Sequence, residues 1–183
     1  MILKRKKCRY CSKLSLPGRA ICWDHYRLRQ KLLRDEATAR KMARSAKKTE
    51  KMHNSLSYLN EKAWPVFSRY IRFRDRGEDG LTECFTCRHR KDPRILQGGH
   101  YFHGRLDYDE RNIHPQCVYC NKWLHGNLAV YGVRLTEELG VDGMKKLMLD
   151  ANTHKGYNTF QLQTIINDYT EKLNQLLKEK PIT

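Results

Sequence analysis

Two sets of closely spaced cysteines constrain this chain more than any other feature. In CRYCSKLSLPGRAICWDH, Cys8, Cys11, Cys22 and His25 follow C-x2-C-x10-C-x2-H. Further on, Cys84/Cys87 and Cys117/Cys120 form C-x2-C…C-x2-C. Two residues between ligands let a tight turn aim both side chains at one ion, and thiolates with imidazole close a tetrahedron around Zn2+ at about 2.0–2.3 Å. Seven cysteines, an odd number, with a histidine to complete the set, fit metal sites better than a disulfide framework. Two structural zinc sites are therefore expected, and at the first, which has almost no core of its own, metal binding contributes folding free energy on the order of 10 kcal/mol or more. For the first cluster the alternative is free thiols beside a chance histidine. At the second, four thiolates leave no open position, so that ion staples the ends of the segment from Glu83 to Asn121 without reacting.

Charge decides the partner. The chain carries 36 Lys and Arg against 20 Asp and Glu, a formal net charge of +16. So lopsided a balance implies a polyanion, nucleic acid first, with an anionic membrane as the rival. No apolar run approaches a membrane span, there is no lipidation signal, and the basic start MILKRKK lacks a following apolar stretch. A cytoplasmic protein without membrane contact is expected. A hydrophobic content of 39% suits small folded units joined by polar helix.

The organisation expected is a zinc knuckle over 1–25, a basic linker helix over 26–63 and a domain over 64–183 that carries the second cysteine set and the C-terminal helices. From Tyr26 to Trp64 there is no Gly or Pro, and the apolar positions Leu28, Leu32, Leu33, Met42 and Met52 are too sparse for a core stripe. This helix is either a solvated spacer or a rod laid along phosphates through Arg40, Lys41, Arg44, Lys47 and Lys48. A second helix is read from Pro65, a good first-turn residue, to Arg76. Strands are expected around 94–101 and 112–113, a helix after Val118, and two short helices over 131–139 and 142–149, separated by Gly140. The last helix opens on a capping box, Asn158 with Gln161. Its face Leu162, Ile166, Tyr169, Leu173 and Leu176 is core packing or a dimer seam, and Lys178, Lys180 and Pro181 close it.

Between and just after the second set of cysteines lie GGHYFHGRLDYDERNIH and Asn121. A His at a strand end, an Asn before a Cys pair and an Asn at the next helix start make an HNH pattern. The fold class is thus α+β, mostly helical, with a zinc-stapled ββα-metal (HNH) core. Each member has a task in phosphodiester hydrolysis. His100 is the general base that takes a proton from water. Asn112 orients the imidazole. Asn121 holds a catalytic Mg2+ or Mn2+ that neutralises the scissile phosphate. Arg105, Arg111 and Lys122 are candidate phosphate contacts. Many HNH enzymes carry a metal-binding Asp just before the base. Here that position is Gly99, so either one protein ligand suffices or another residue substitutes, with Asp107, Asp109 and His125 as possibilities. His114 is read as packing near the zinc, and His103 as a phosphate contact or a surface residue.

The runs GGHY, ERNIHPQCVYCN and GNL, together with Arg72-x-Arg74-Asp75-Arg76 and the tail helix, resemble the NinG family of lambdoid phages, also called Rap. The resemblance covers Pro65 to the C-terminus, and in layout it extends to an N-terminal metal cluster followed by a charged helix. It implies a structure-specific DNA endonuclease acting on branched recombination intermediates such as Holliday junctions and D-loops. A junction enzyme making two opposed cuts would be a homodimer. The alternatives are a non-catalytic zinc-finger DNA-binding protein and a sequence-specific homing or restriction-type HNH endonuclease.

Overall fold

The computed structural model describes residues 6–104 and 106–179; Arg105 and the expected helix-closing Lys180 and Pro181 lie outside them. The chain divides into two compact units, one ending at His53 and the other beginning at Asn54.

The first unit is the knuckle followed by α1 (Trp23–His53). Backbone bonds from Cys8 N–H to the Lys13 carbonyl (2.8 Å) and from Arg9 N–H to the Ala20 carbonyl (2.9 Å) fold the ligand segment back on itself. Cys22 and His25 then sit three residues apart across the first turn of α1, where Tyr26 N–H reaches the Cys22 carbonyl at 2.9 Å. No residue of α1 is buried, and ten Lys and Arg face four Asp and Glu along it. Leu28, Leu32, Leu33, Met42 and Met52 are all exposed, as their sparse spacing required.

The second unit is built on α2 (Leu56–Arg74) and α4 (Thr159–Glu179), which pack together. The helix expected to run to Trp64 ends at His53, and the next begins at Leu56, where the Ser55 hydroxyl caps Tyr58 N–H at 3.3 Å. Pro65 therefore lies inside α2 rather than at its start. A proline there removes one backbone bond and crowds the preceding turn, costing about 3 kcal/mol. Burial of Leu59, Ala63, Phe67 and Ile71 on one face offsets that cost. Phe67 meets Tyr169 edge-on at 4.6 Å and Tyr108 at 5.5 Å. Leu162 and Tyr169 join this cluster with Ile166 against it, so the apolar face of α4 is core packing within the chain. Its capping box is reciprocal: Asn158 N–H to Gln161 Oε1 and Gln161 N–H to Asn158 Oδ1, both 2.9 Å.

Between these helices lie two antiparallel hairpins. β1 (Thr82–Glu83) pairs with β2 (Arg90–Lys91), a small hairpin not anticipated from sequence, with Cys84 and Cys87 in its turn. β3 (Gln97–His100) pairs with β4 (Ile113–Gln116), with Gln97 opposite Gln116 and His100 opposite Ile113. A π-helical turn over Tyr119–Trp123 follows, then α3 (Leu128–Thr153). Gly140 (φ 71°, ψ 168°) breaks α3 into residues 128–139 and 141–153, at the glycine that marked the division in sequence. The Arg-rich end of α2 is structural: Arg72 donates to the carbonyls of Pro93 (3.0 Å) and Leu96 (3.1 Å), and Arg74 pairs with Glu110 at 2.8 Å. No helix among the described residues is long and apolar enough to cross a membrane.

Candidate active site and metal centres

Among the described residues, two groups of side chains converge closely enough to hold a metal: Cys8, Cys11, Cys22 and His25, and Cys84, Cys87, Cys117 and Cys120. In each group all four ligand atoms lie within 4.8 Å of one another. Tetrahedral zinc with thiolates at about 2.3 Å requires sulfur–sulfur edges of about 3.8 Å. Cys87 and Cys117 are 3.8 Å apart and Cys11 and Cys22 3.6 Å. His25 presents Nδ1 to its group, 3.3 Å from Cys22 and 3.5 Å from Cys8. Both groups could hold zinc ions.

The second group has thiolate-supporting neighbours. Cys117 N–H donates to Cys84 Sγ at 3.3 Å and Cys120 N–H to Cys117 Sγ at 3.5 Å. Burial opposes ionisation of Cys84, but N–H donors from Cys87 and Cys117 and the Thr86 hydroxyl outweigh it and bring the thiol down to about 6. Burial dominates at Cys120 and pushes its thiol up to about 12. A metal at this position would ionise both.

The β3–β4 hairpin carries the candidate base. His100 ends β3 and is mostly buried, its ring stacked on Trp64 at 4.6 Å and 18°. Nε2 lies 3.5 Å from Asp107 Oδ1, and the ring of His103 is 5.1 Å away. Burial lowers the His100 pKa, Asp107 opposes the shift and His103 adds to it, so the imidazole is neutral at neutral pH. Asp107 Oδ1 is itself fixed by Gly104 N–H at 2.9 Å.

The two glycines before His100 are explained by close approach. A Cβ at Gly98 would stand 3.0 Å from Ser68 Oγ and 3.3 Å from Trp64, so α2 lies tight against the hairpin. A Cβ at Gly99 would collide with the Gln116 side chain, 2.6 Å from its Cδ.

Several assignments from sequence require correction. Asn112 does not hold the imidazole. It is fully buried, and its Oδ1 accepts from Phe102 N–H (2.8 Å) while Nδ2 donates to the carbonyls of Phe102 (2.7 Å) and Leu106 (2.9 Å). It closes the loop that follows His100, and Asp107 is the polar group at the ring. Arg111 is not a free phosphate clamp: its guanidinium is bound by Asp109 (2.6 Å) and Asp150 (2.8 Å), which raise its pKa further. Asp109 is thereby occupied too. His125 is exposed with φ 50°, at a turn and not on a ligand cluster. Lys122 is exposed, as are Arg40, Lys41, Arg44, Lys47 and Lys48 on α1.

Asn121 lies in the π-helical turn, with Nδ2 donating to Gln97 Oε1 at 2.8 Å. That bond fixes the amide and leaves Oδ1 as a free oxygen acceptor. His114 is structural, as its place near the cysteines suggested. It is stacked on Phe85 at 4.0 Å, bonded to the Arg111 carbonyl at 3.2 Å, and depressed by burial to about 4. His103 is exposed. Trp64, Gln97 and Gln116 gave no signal in sequence, because each joins the site through the pairing of distant segments.

A family model described as "Bacteriophage Lambda NinG protein" matches residues 2–179. The chain belongs to the NinG family. The match takes in the knuckle and α1, where the sequence likeness was one of layout. Relatives include Protein ninG of Salmonella phage P22, 33% identical over 124 residues that cover 66% of this chain and 58% of the relative. Protein ninG of Escherichia phage 933W is 32% identical over 124 residues (66% and 59%), and that of Escherichia phage lambda 31% over 124 residues (66% and 58%). The matched region thus spans less than two thirds of these NinG relatives' own length. No solved structure matches.

Proposed function

We propose that this chain is a metal-dependent DNA endonuclease with an HNH, ββα-metal site, hydrolysing phosphodiester bonds in branched recombination intermediates. The observation that carries the proposal is His100: a neutral, mostly buried imidazole at a strand end, flanked by Asp107, in a hairpin joined to a four-cysteine cluster. A protein that only holds DNA has no use for a base prepared in this way. The branched substrate class rests on the family resemblance, and the charge of +16 suits any DNA partner.

In the mechanism, the Nε2 proton of His100 is held toward Asp107, which leaves Nδ1 to accept a proton from the attacking water. Trp64 stacks on the ring and limits its rotation. Asn112 fastens residues 102 and 106, and with them the loop that brings Asp107 to the ring. Asn121 Oδ1 is the oxygen that would hold Mg2+ or Mn2+, whose charge supplies stabilisation of the scissile phosphate and leaving oxygen. Lys122 and the basic face of α1 draw in the phosphate backbone, while the two cysteine clusters hold structural zinc.

The test is a nicking assay with Mg2+ on a four-way junction and on a linear duplex of the same sequence. Cleavage of the junction by the wild type, lost in His100→Ala with binding retained, is expected. Undiminished cleavage by His100→Ala removes the hydrolytic role of this histidine. Cutting of the linear duplex at one sequence would point to a homing or restriction-type enzyme.

A further inference from the structure

Residue 99 is glycine in a place where many HNH enzymes have a metal-binding aspartate, and the hairpin shows what occupies the volume. A side chain at 99 would fall 2.6 Å from Cδ and 2.9 Å from Cγ of Gln116, and closer still to Oε1. Gln116 is fully buried. Its Nε2 donates to the Gly126 carbonyl at 2.8 Å and to Thr86 Oγ1 at 3.2 Å. The Gly126 carbonyl only accepts, so the amide cannot be turned over without losing that bond. Among the described residues, Gln116 Oε1 is the one buried side-chain oxygen or nitrogen with no hydrogen-bond partner. Such an orphaned acceptor is rare in a folded protein and calls for a partner.

Its surroundings indicate which partner. In the β3–β4 register Gln97 is opposite Gln116, and Gln97 Oε1 receives Nδ2 of Asn121. Side chains alternate along a strand, so Gln97, position 99 and Gln116 share one face of the hairpin while His100 points to the other, toward Trp64. Gly126 ties the same pair from the backbone: its carbonyl holds Gln116 and its N–H donates to the Asn121 carbonyl at 3.0 Å.

We propose that Gln116 Oε1 is a second oxygen ligand of the catalytic cation. It is delivered across the hairpin into the volume that an aspartate at 99 would otherwise use. The proposal rests on the hydrolytic reading above. Capture of the cation requires the covered Oε1 to swing toward Asn121 about the bond that Nε2 keeps to the Gly126 carbonyl. Two neutral amides then provide the protein's share of the coordination, which suits a hard cation that keeps water and takes phosphate oxygens. With no carboxylate in the shell, the cation is held weakly by the free protein and more tightly once DNA is bound.

The experiment is a Mn2+ titration of zinc-replete protein followed by electron paramagnetic resonance, with and without a four-way junction. Gln116→Met keeps similar volume without an amide oxygen and is expected to weaken Mn2+ binding about tenfold or more, as is Asn121→Ala. Gln116→Glu is expected to tighten it, and Gly99→Asp combined with Gln116→Ala to restore it by supplying the carboxylate from the other strand. The Glu variant and the double variant keep the question answerable if Gln116→Met does not fold, which zinc content and circular dichroism report. Wild-type Mn2+ affinity in both the Met and Glu variants, alongside a loss in Asn121→Ala, would overturn the Gln116 assignment and leave the hydrolytic reading standing. A wild-type protein that neither binds Mn2+ nor nicks DNA sinks both.

Discussion

His100 and His114 are both buried histidines on one hairpin, yet only one is prepared for chemistry. His114 is sealed between Phe85 and the backbone and held down to about 4. Its folded pKa lies below the ordinary 6.5, so the unfolded chain binds the proton first. Its share of stability is full above pH 6.5 and falls away as pH drops toward 4, by on the order of 3 kcal/mol. Urea melts of His114→Asn against wild type at pH 7.5 and 5 should show a flatter pH response in the variant. His100 keeps one edge open and has Asp107 beside it. Because burial lowers its pKa, cleavage should hold down to below pH 6.5 before falling about tenfold per unit. Asp107 opposes that shift, so Asp107→Asn should move the acid limb to still lower pH, besides reducing the plateau rate. Asn112→Ala removes three side-chain hydrogen bonds from a fully buried position. It should cost about 2 kcal/mol or more and release the loop that carries Asp107, read as loss of amide-exchange protection at Tyr101, Phe102 and Gly104.

The elements divide by what packs on them. Truncating Phe67, central to the α2–α4 contact, should destabilise the second unit by about 3–5 kcal/mol in a denaturant melt. The α4 face and its capping box were legible in sequence because period and caps act locally. The boundary between α1 and α2 was not: both flanks favour helix, and only Ser55 and the burial of Leu59 and Ala63 fix where the second helix starts. Pro65 was misplaced for the same reason, since a tertiary contact outweighs a local preference. With no buried residue, α1 presents its lysines and arginines to solvent, where phosphate can reach them. If about six phosphates are neutralised, log affinity should fall with a slope near −5 against log salt, measured by fluorescence anisotropy. Neutralising Arg40, Lys41, Arg44, Lys47 and Lys48 together should flatten it.

At the scale of the whole molecule, metal and charge networks replace a large core. Both clusters have the sulfur and nitrogen spacing of tetrahedral zinc, so two zinc ions per chain are expected in elemental analysis. Chelation should unfold the knuckle and loosen the junction of the two hairpins, seen as loss of ellipticity and protease resistance. Glu110, in the loop between β3 and β4, joins α2 and α4 by accepting from Arg74, Tyr169 and Lys172. Burial raises its pKa, but those three donors outweigh it and hold the carboxyl below 4.5. A depressed carboxylate stabilises above its unfolded value and loses that contribution as pH falls through the folded one. The α2–α4 clamp should therefore weaken only below about pH 4.5, at the lower end of the range in which His114 acts.

The sequence by itself determined the two ligand sets, the long solvated basic helix, the packed tail helix, the break at Gly140 and the family. Each depends on spacing along the chain or on periodicity, and such signals survive without knowledge of neighbours. The tertiary structure alone decided which polar groups meet. Asn112 faces a loop and not the imidazole, Arg111 is bound by carboxylates from two segments, and Asp107 and Trp64 converge on His100 from either side in sequence. Gln116 fills the volume that makes residue 99 a glycine. Hydrogen bonds and steric exclusion act over a few ångströms in space, and strand pairing joins residues whose separation along the chain carries no trace of that contact.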